Sequence, residues 1–287
     1  MFYLFGTVVT TAYLFLLFKW FGKNNIPVLP IIIINYGICA FTGSIINLPN
    51  IVVQQSSLQL EGIIGALVLG SIFLPSFFLL GNTTVKIGVG PTTIANKLSM
   101  ILPSLFSLFY FGHQVSVYYP FIFILAALSI YLVSPQPDQN LSAGNWYLPL
   151  IIFSVGGFID VLLLLCNTNY IHPEQTSRFT ILLFFSAFTN GVLYWTISGQ
   201  WKKMDFSSKW LLYGALLGIP NYFSVYFLLK TLAEFENNGA IVFPILNLSI
   251  ILISTGLSKI IFKEVITKRM FWGLISSLVC LVLLTLT

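Results

Sequence analysis

The chain has 287 residues, 57% of them hydrophobic and 16% aromatic, and only 7% are charged. A soluble domain carries roughly 25% charged residues, so water is excluded as the solvent for most of this chain. The formal charge of +5 does not indicate nucleic acid, because the few basic residues sit between apolar runs, where lysines set membrane orientation.

In chain order, apolar runs cover residues 2–18, 28–48, 62–81, 89–111 and 117–134, then 146–165, 178–198, 210–229, 239–262 and 270–286. Each is close to the roughly 20 apolar residues a helix needs to cross a hydrocarbon layer ~30 Å thick. A β-barrel would instead show strands of about 10 residues with alternating polarity, whereas these runs are unbroken. The expected fold is an all-α polytopic membrane protein with ten transmembrane helices. The first run has no basic segment before it and no small-residue cleavage pattern after it, so it is expected to stay as a span. Trp20, Trp146, Trp195, Trp210 and Trp272 fall near run ends, where an amphipathic ring prefers the headgroup level. Cys39, Cys166 and Cys280 are isolated within apolar runs and read as packing residues, not as a metal site or a disulfide frame. His113 and His172 lie near loops without a second ligand at metal spacing.

The two halves are expected to be related by an internal repeat. At an offset near 150, Gly65-Ala66-Leu67 matches Gly214-Ala215-Leu216, and Phe78-Leu79-Leu80 matches Phe227-Leu228-Leu229. After one residue of slippage, Leu98-Ser99 matches Leu248-Ser249, Ile101-Leu102 matches Ile251-Leu252, and Val115 matches Val265. Five spans per half is an odd number, so the second copy must enter from the opposite face, giving two inverted five-helix repeats. The expected division is a first repeat at 1–134, a linker at 135–145 containing Pro135, Pro137, Asp138 and Gly144, and a second repeat at 146–287. On the fourth run Gly90, Thr93, Lys97 and Ser104 share one helical face, as do Ala240, Asn247 and Ser254 on the ninth. These stripes are expected to be two walls of one cavity.

Several short motifs carry a family resemblance. They are Gly88-Val89-Gly90 through Asn96-Lys97-Leu98-Ser99 with Pro103, Gly218-Ile219-Pro220-Asn221-Tyr222, Phe243-Pro244-Ile245, Phe262-Lys263-Glu264 and the pair Asn35-Tyr36. With these the chain resembles the drug/metabolite transporter superfamily, in its ten-span EamA-like branch. It departs from that pattern after the fourth run, where His113-Gln114 replaces the usual Gly-Glu, while Glu264 stands at the equivalent place in the second half.

Lys97 and Asp160 are the two charges deep within runs. A charge at the centre of a membrane helix costs about 2.5–3.5 kcal/mol on insertion scales, so such residues face a bundle interior or a wet cavity. The two are expected either to be mutual counter-ions or to share a proton or substrate. Their purely structural alternatives are a snorkelling lysine and a packing carboxylate. Asp160 is the carboxylate available to carry a coupling proton. Asn35, Asn96, Asn190, Asn221 and Asn247 each need a partner, on a neighbouring helix or on a ligand. Pro103, Pro220 and Pro244 each remove a backbone bond inside a run, and broken helices often line sites. Gly214 and Gly218 have the spacing of a helix–helix packing motif.

No catalytic or nucleotide-binding motif is present, so no enzyme activity, cofactor or metal is expected. Lys97 and Ser104 stand two turns apart, too far for direct activation. The expected function is secondary active transport of a small polar or amphipathic metabolite by alternating access. The site residues are expected to be Lys97, Asp160, Asn221, Asn247, Asn96, Asn35, Thr93 and Ser104. The lysine favours a ligand bearing a carboxylate or phosphate, such as an amino acid. The alternatives are a translocator of a lipid-linked compound and a non-transporting membrane scaffold. The expected partners are a small-molecule substrate, the lipid bilayer and a coupling proton, with no nucleic acid. The short loops favour a bacterial inner membrane. Both termini should lie on one side: the loop lysines put them outside, whereas the resemblance implies the cytoplasm.

Overall fold

The computed structural model describes residues 1–53, 58–111, 119–133, 145–199, 209–235 and 239–285. Within them the chain is helical almost throughout, because a backbone in lipid must satisfy its own polar groups. The helices are α1 (Phe2–Lys23), α2 (Val28–Val53), α3 (Leu60–Ile87), α4 (Val89–Leu98), α5 (Ile101–Phe111) and α6 (Tyr119–Val133). They continue with α7 (Leu148–Asn169), α8 (Thr176–Ile197), α9 (Lys209–Glu234), α10 (Gly239–Phe262) and α11 (Lys268–Thr285). Seven are long and apolar enough to cross a membrane: α1, α2, α3, α7, α8, α9 and α10. The chain is thus an α-helical membrane protein.

The fourth apolar run differs from its expected form. It is not one spanning helix but α4, of 10 residues, followed by α5, of 11. Pro103 gives the reason. It has no N–H to offer the Ser99 carbonyl, and its ring would crowd that carbonyl in a continuous helix. The Ser99 carbonyl instead accepts from the Leu102 N–H at 2.9 Å, a tighter turn that ends α4. Pro103 then falls in the first turn of α5, where a missing donor costs nothing. By contrast, α3 and α9 continue through Pro75 and Pro220.

The described residues divide into two compact units. Unit 1 comprises Met1–Leu14, Asn25–Phe78 and Leu162–Asn237. Unit 2 comprises Phe15–Asn24, Leu79–Val161 and Asn238–Thr287. Each therefore draws on both sequence halves. The expected linker falls largely on residues 134–144, which lie outside the described residues, as do His113 and Gln114.

In unit 1, α2 packs against α8 and α9. Gly214 and Gly218 supply the close approach: a Cβ at Gly218 would stand 2.7 Å from the Asn35 carbonyl oxygen, and one at Gly214 would stand 2.3 Å from Ile34. Tyr36 on α2 is fully buried, stacks on Phe184 at 5.9 Å and donates its hydroxyl to the Phe73 carbonyl at 2.8 Å. In unit 2, α11 packs on α6, and α4 on α10 and α6. Small hydroxyls bond the facing backbone there: Ser129 to the Gly273 carbonyl at 2.7 Å and Ser276 to the Leu125 carbonyl at 3.0 Å. The three cysteines are free and buried.

Candidate functional site

The site is built on α4, the short helix of unit 2. Its start is set by Gly88, whose φ of +98° belongs to a region that favours glycine. One residue thus separates the end of α3 from the start of α4. Val89 through Ala95 and Leu98 are buried, so α4 has almost no lipid-facing surface. Its far end is the Ser99 turn, against which the middle of α7 is packed. A Cβ at Gly157 would lie 2.8 Å from the Ser99 carbonyl oxygen and 2.4 Å from Leu102 Cδ1; one at Gly156 would lie 2.8 Å from Asn96 Nδ2. Only glycine allows this approach, and it brings Asp160, one turn further along α7, to the same break.

Lys97 and Asp160 come within charge range of each other here in unit 2. Each feels the charge of the other, and the Asp160 carboxylate also lies beside the Ser99 hydroxyl. That hydroxyl bonds the Asn96 carbonyl as well. Lys97 and Asp160 are within electrostatic reach but, unlike Lys19 and Glu264 in the same unit, not in direct contact. Both are partly buried.

Thr92 and Ser258 near the start of α4 are bonded, to the Gly88 carbonyl and to Glu264, but two other buried hydroxyls around the helix are not. The Thr93 hydroxyl is fully buried and has no hydrogen-bond partner. Thr255 on α10 is equally buried and equally unpartnered, and it lies against α4, with its Cγ2 3.6 Å from the position of a Cβ at Gly90. Asn247, on the same helix, is also buried. Buried polar groups in proteins are nearly always paired. A set of unpaired ones beside two charges is a place for water or a polar ligand.

Asn35 and Asn221 come together elsewhere, in unit 1. Asn221 Nδ2 donates to Asn35 Oδ1 at 3.2 Å, Asn35 Nδ2 bonds the Ile32 carbonyl at 3.3 Å, and the Cys39 thiol donates to the Gly218 carbonyl at 3.1 Å. Three turns further along α2, Asn47 Nδ2 bonds the Tyr222 hydroxyl at 3.0 Å. Asn190 reaches Ser71 Oγ at 3.0 Å and the Ser186 carbonyl at 2.9 Å. These amides serve as bonds between helices. Of the expected site residues, then, Lys97, Asp160, Asn96, Thr93 and Asn247 lie in unit 2, and Asn35 and Asn221 in unit 1. Ser104 lies on α5 of unit 2, and its side chain is outside the described part. Ser99 and Thr255 are additions. Ser99 closes the Asn96-Lys97-Leu98-Ser99 motif, which is the sequence signal for it, whereas nothing in the pattern singles out Thr255.

No family model matches the chain. It is similar to an uncharacterized protein of Haemophilus influenzae, at 28% identity over 211 residues, which cover 72% of this chain and 70% of that one. It also shares its fold with a protein of solved crystal structure, at a TM-score of 0.59 and 12% identity, over 99% of this chain and 98% of the other. That likeness concerns the fold alone.

Proposed function

We propose that this protein is a secondary active transporter that moves a small polar or amphipathic metabolite by alternating access. The observation that carries the reading is the polar set on the broken helix α4. A lysine and an aspartate sit within charge range but out of contact, beside buried hydroxyls that have no partner. A scaffold protein would gain from pairing such groups, since unpaired burial costs about 1–3 kcal/mol per group. A carrier needs them available to its cargo. The lysine suits a carboxylate or phosphate, so an amino acid is a fitting cargo, and Asp160 suits a coupling proton.

The rest of the reading is architectural. Ten transmembrane passes form two inverted five-helix repeats, residues 1–134 and 146–287, in the manner of the EamA-like branch of the drug/metabolite transporters. Support comes from the collinear matches at an offset near 150 and from the motifs around Lys97, Asn221 and Glu264. A bacterial inner membrane is the setting, with both termini on one side. The test is uptake into proteoliposomes of a pool of isotopically labelled amino acids and other small carboxylates, read by mass spectrometry. Wild type should accumulate at least one compound, and Lys97→Ala none. No uptake by wild type, together with strong destabilisation of Lys97→Ala, would favour a scaffold whose lysine is a structural counter-ion.

A further inference from the structure

A second charged cluster lies in unit 2, at the end where α1 and α10 finish and α4 begins, and it centres on Glu264. The helix α10 ends at Phe262, and Lys263 takes a left-handed φ of 55°, a common way to turn the chain past a helix end. Glu264 is thereby folded back. Its Oε2 accepts from the Ser258 hydroxyl at 2.7 Å, and its Oε1 accepts from the Val89 N–H at 3.2 Å. Val89 is the first residue of α4, so the carboxylate takes up one of the donors that a helix start leaves unpaired. Lys19, near the end of α1, completes the cluster with its Nζ 3.1 Å from Glu264 Oε1, the two side chains being 21% and 15% exposed. Lys23, one turn on, lies 5.1 Å over the Phe262 ring. Gly88 leaves room for all this: a Cβ there would stand 3.0 Å from Glu264 Oε1.

We propose that Glu264, held by Lys19, is a latch that fixes the α4 lever in its buried position and must release for the polar set on α4 to meet water. The helix is 10 residues long and has a joint at each end, Gly88 at its start and the Ser99 turn at its finish. A short rod between two joints moves as one piece, as hinged elements do. At its start the Glu264 carboxylate ties it to α1 and α10. At its finish Gly157 of α7 packs on the Ser99 carbonyl. Thr93 lies one turn in from the latched end and Lys97 two turns in. Loss of the latch therefore exposes Thr93, fully buried when latched. Glu264 is a positioning residue in this scheme, acting on the site through α4. The scheme rests on the transport reading for its purpose but not for its test.

Thr93→Cys in the full-length protein reports the exposure through its rate of reaction with a membrane-impermeant, positively charged methanethiosulfonate, in detergent and in vesicles. Cys39, Cys166 and Cys280 are buried, and the parent without Thr93→Cys gives the background. Lys19→Met leaves the carboxylate on Val89 in place and removes only the ion pair; it should speed labelling about tenfold, the factor given when about 1.4 kcal/mol no longer holds a minor open state down. Glu264→Gln should do the same. Lys19→Arg, which keeps the pair, should label as slowly as the parent. Equal rates in all four proteins would overturn the latch, as would a fall in melting temperature in Lys19→Met without faster labelling, which marks a merely structural pair. Labelling needs no substrate, so failed uptake leaves this result standing, and unchanged labelling leaves the transport reading standing.

Discussion

The two units differ in where their buried polar groups are left unpaired. In unit 1 the amides are spent on one another and on backbone: Asn221 on Asn35, Asn47 on Tyr222, Asn190 on Ser71 and Ser186. Unpartnered groups there, Thr168 and Trp195, stand near the ends of α7 and α8. In unit 2 the hydroxyls of Thr83, Thr93 and Thr255 are unpartnered inside helices, and Lys97 and Asp160 are near without touching. Both arrangements occur in helices of similar apolar composition. Thr93 differs from those amides in its helix: they sit on long helices held face to face, whereas α4 has 10 residues and is stopped at both ends, with Thr255 of the long α10 packed against its start. Saturated polar contacts hold helices together; under the proposed transport reading, the unsaturated ones beside the break are the groups left for a ligand.

Substitutions of matched size should bring out that difference. The largest effect is expected where backbone meets backbone. Gly157→Ala drives a Cβ onto the Ser99 carbonyl and Leu102, and overpacking of this kind costs about 1–3 kcal/mol; the unfolding midpoint in mixed micelles should fall accordingly. Next comes Asn221→Leu, which keeps side-chain bulk but leaves the buried Asn35 amide short of its donor. A loss of about 1–2 kcal/mol is expected, the cost of an orphaned buried group. A double-mutant cycle of Asn35→Ala with Asn221→Ala should show a coupling of about 0.6 kcal/mol, typical of hydrogen bonds between membrane helices. The smallest effect belongs to unit 2. Thr93→Val removes a hydroxyl that bonds to nothing, so stability should change by less than about 0.5 kcal/mol or rise, while ligand binding weakens. A Thr93→Val protein as destabilised as Asn221→Leu would erase the distinction between the units.

Much of the helical content could be inferred from the sequence, because in lipid an apolar run has few alternatives to a helix. The breaks were harder. Pro103, Pro220 and Pro244 look alike in sequence, yet α9 continues through Pro220 while the fourth run splits at Ser99. The outcome depends on the backbone around each proline. Gly157 sits on the Ser99 carbonyl and the Leu102 N–H is turned to it, contacts that no local pattern shows. The nearness of Lys97 and Asp160 was expected from the shortage of other intramembrane charges, since a buried charge seeks an opposite one. The pairing of Asn35 with Asn221, 186 positions apart, was not, since any of five asparagines could have met any other. Thr255 carried no signal either: among the many small hydroxyls of the apolar runs, only its surroundings set it apart.

The most direct measurement is the melting temperature of the purified protein against a library of amino acids and other small carboxylates and phosphates, for wild type, Lys97→Ala and Asn221→Leu side by side. If unit 2 holds the ligand, a compound that raises the melting temperature of wild type will raise that of Asn221→Leu by a similar amount and leave Lys97→Ala unmoved. A compound that still stabilises Lys97→Ala but no longer acts on Asn221→Leu would contradict this, and would place the ligand among the amides of unit 1.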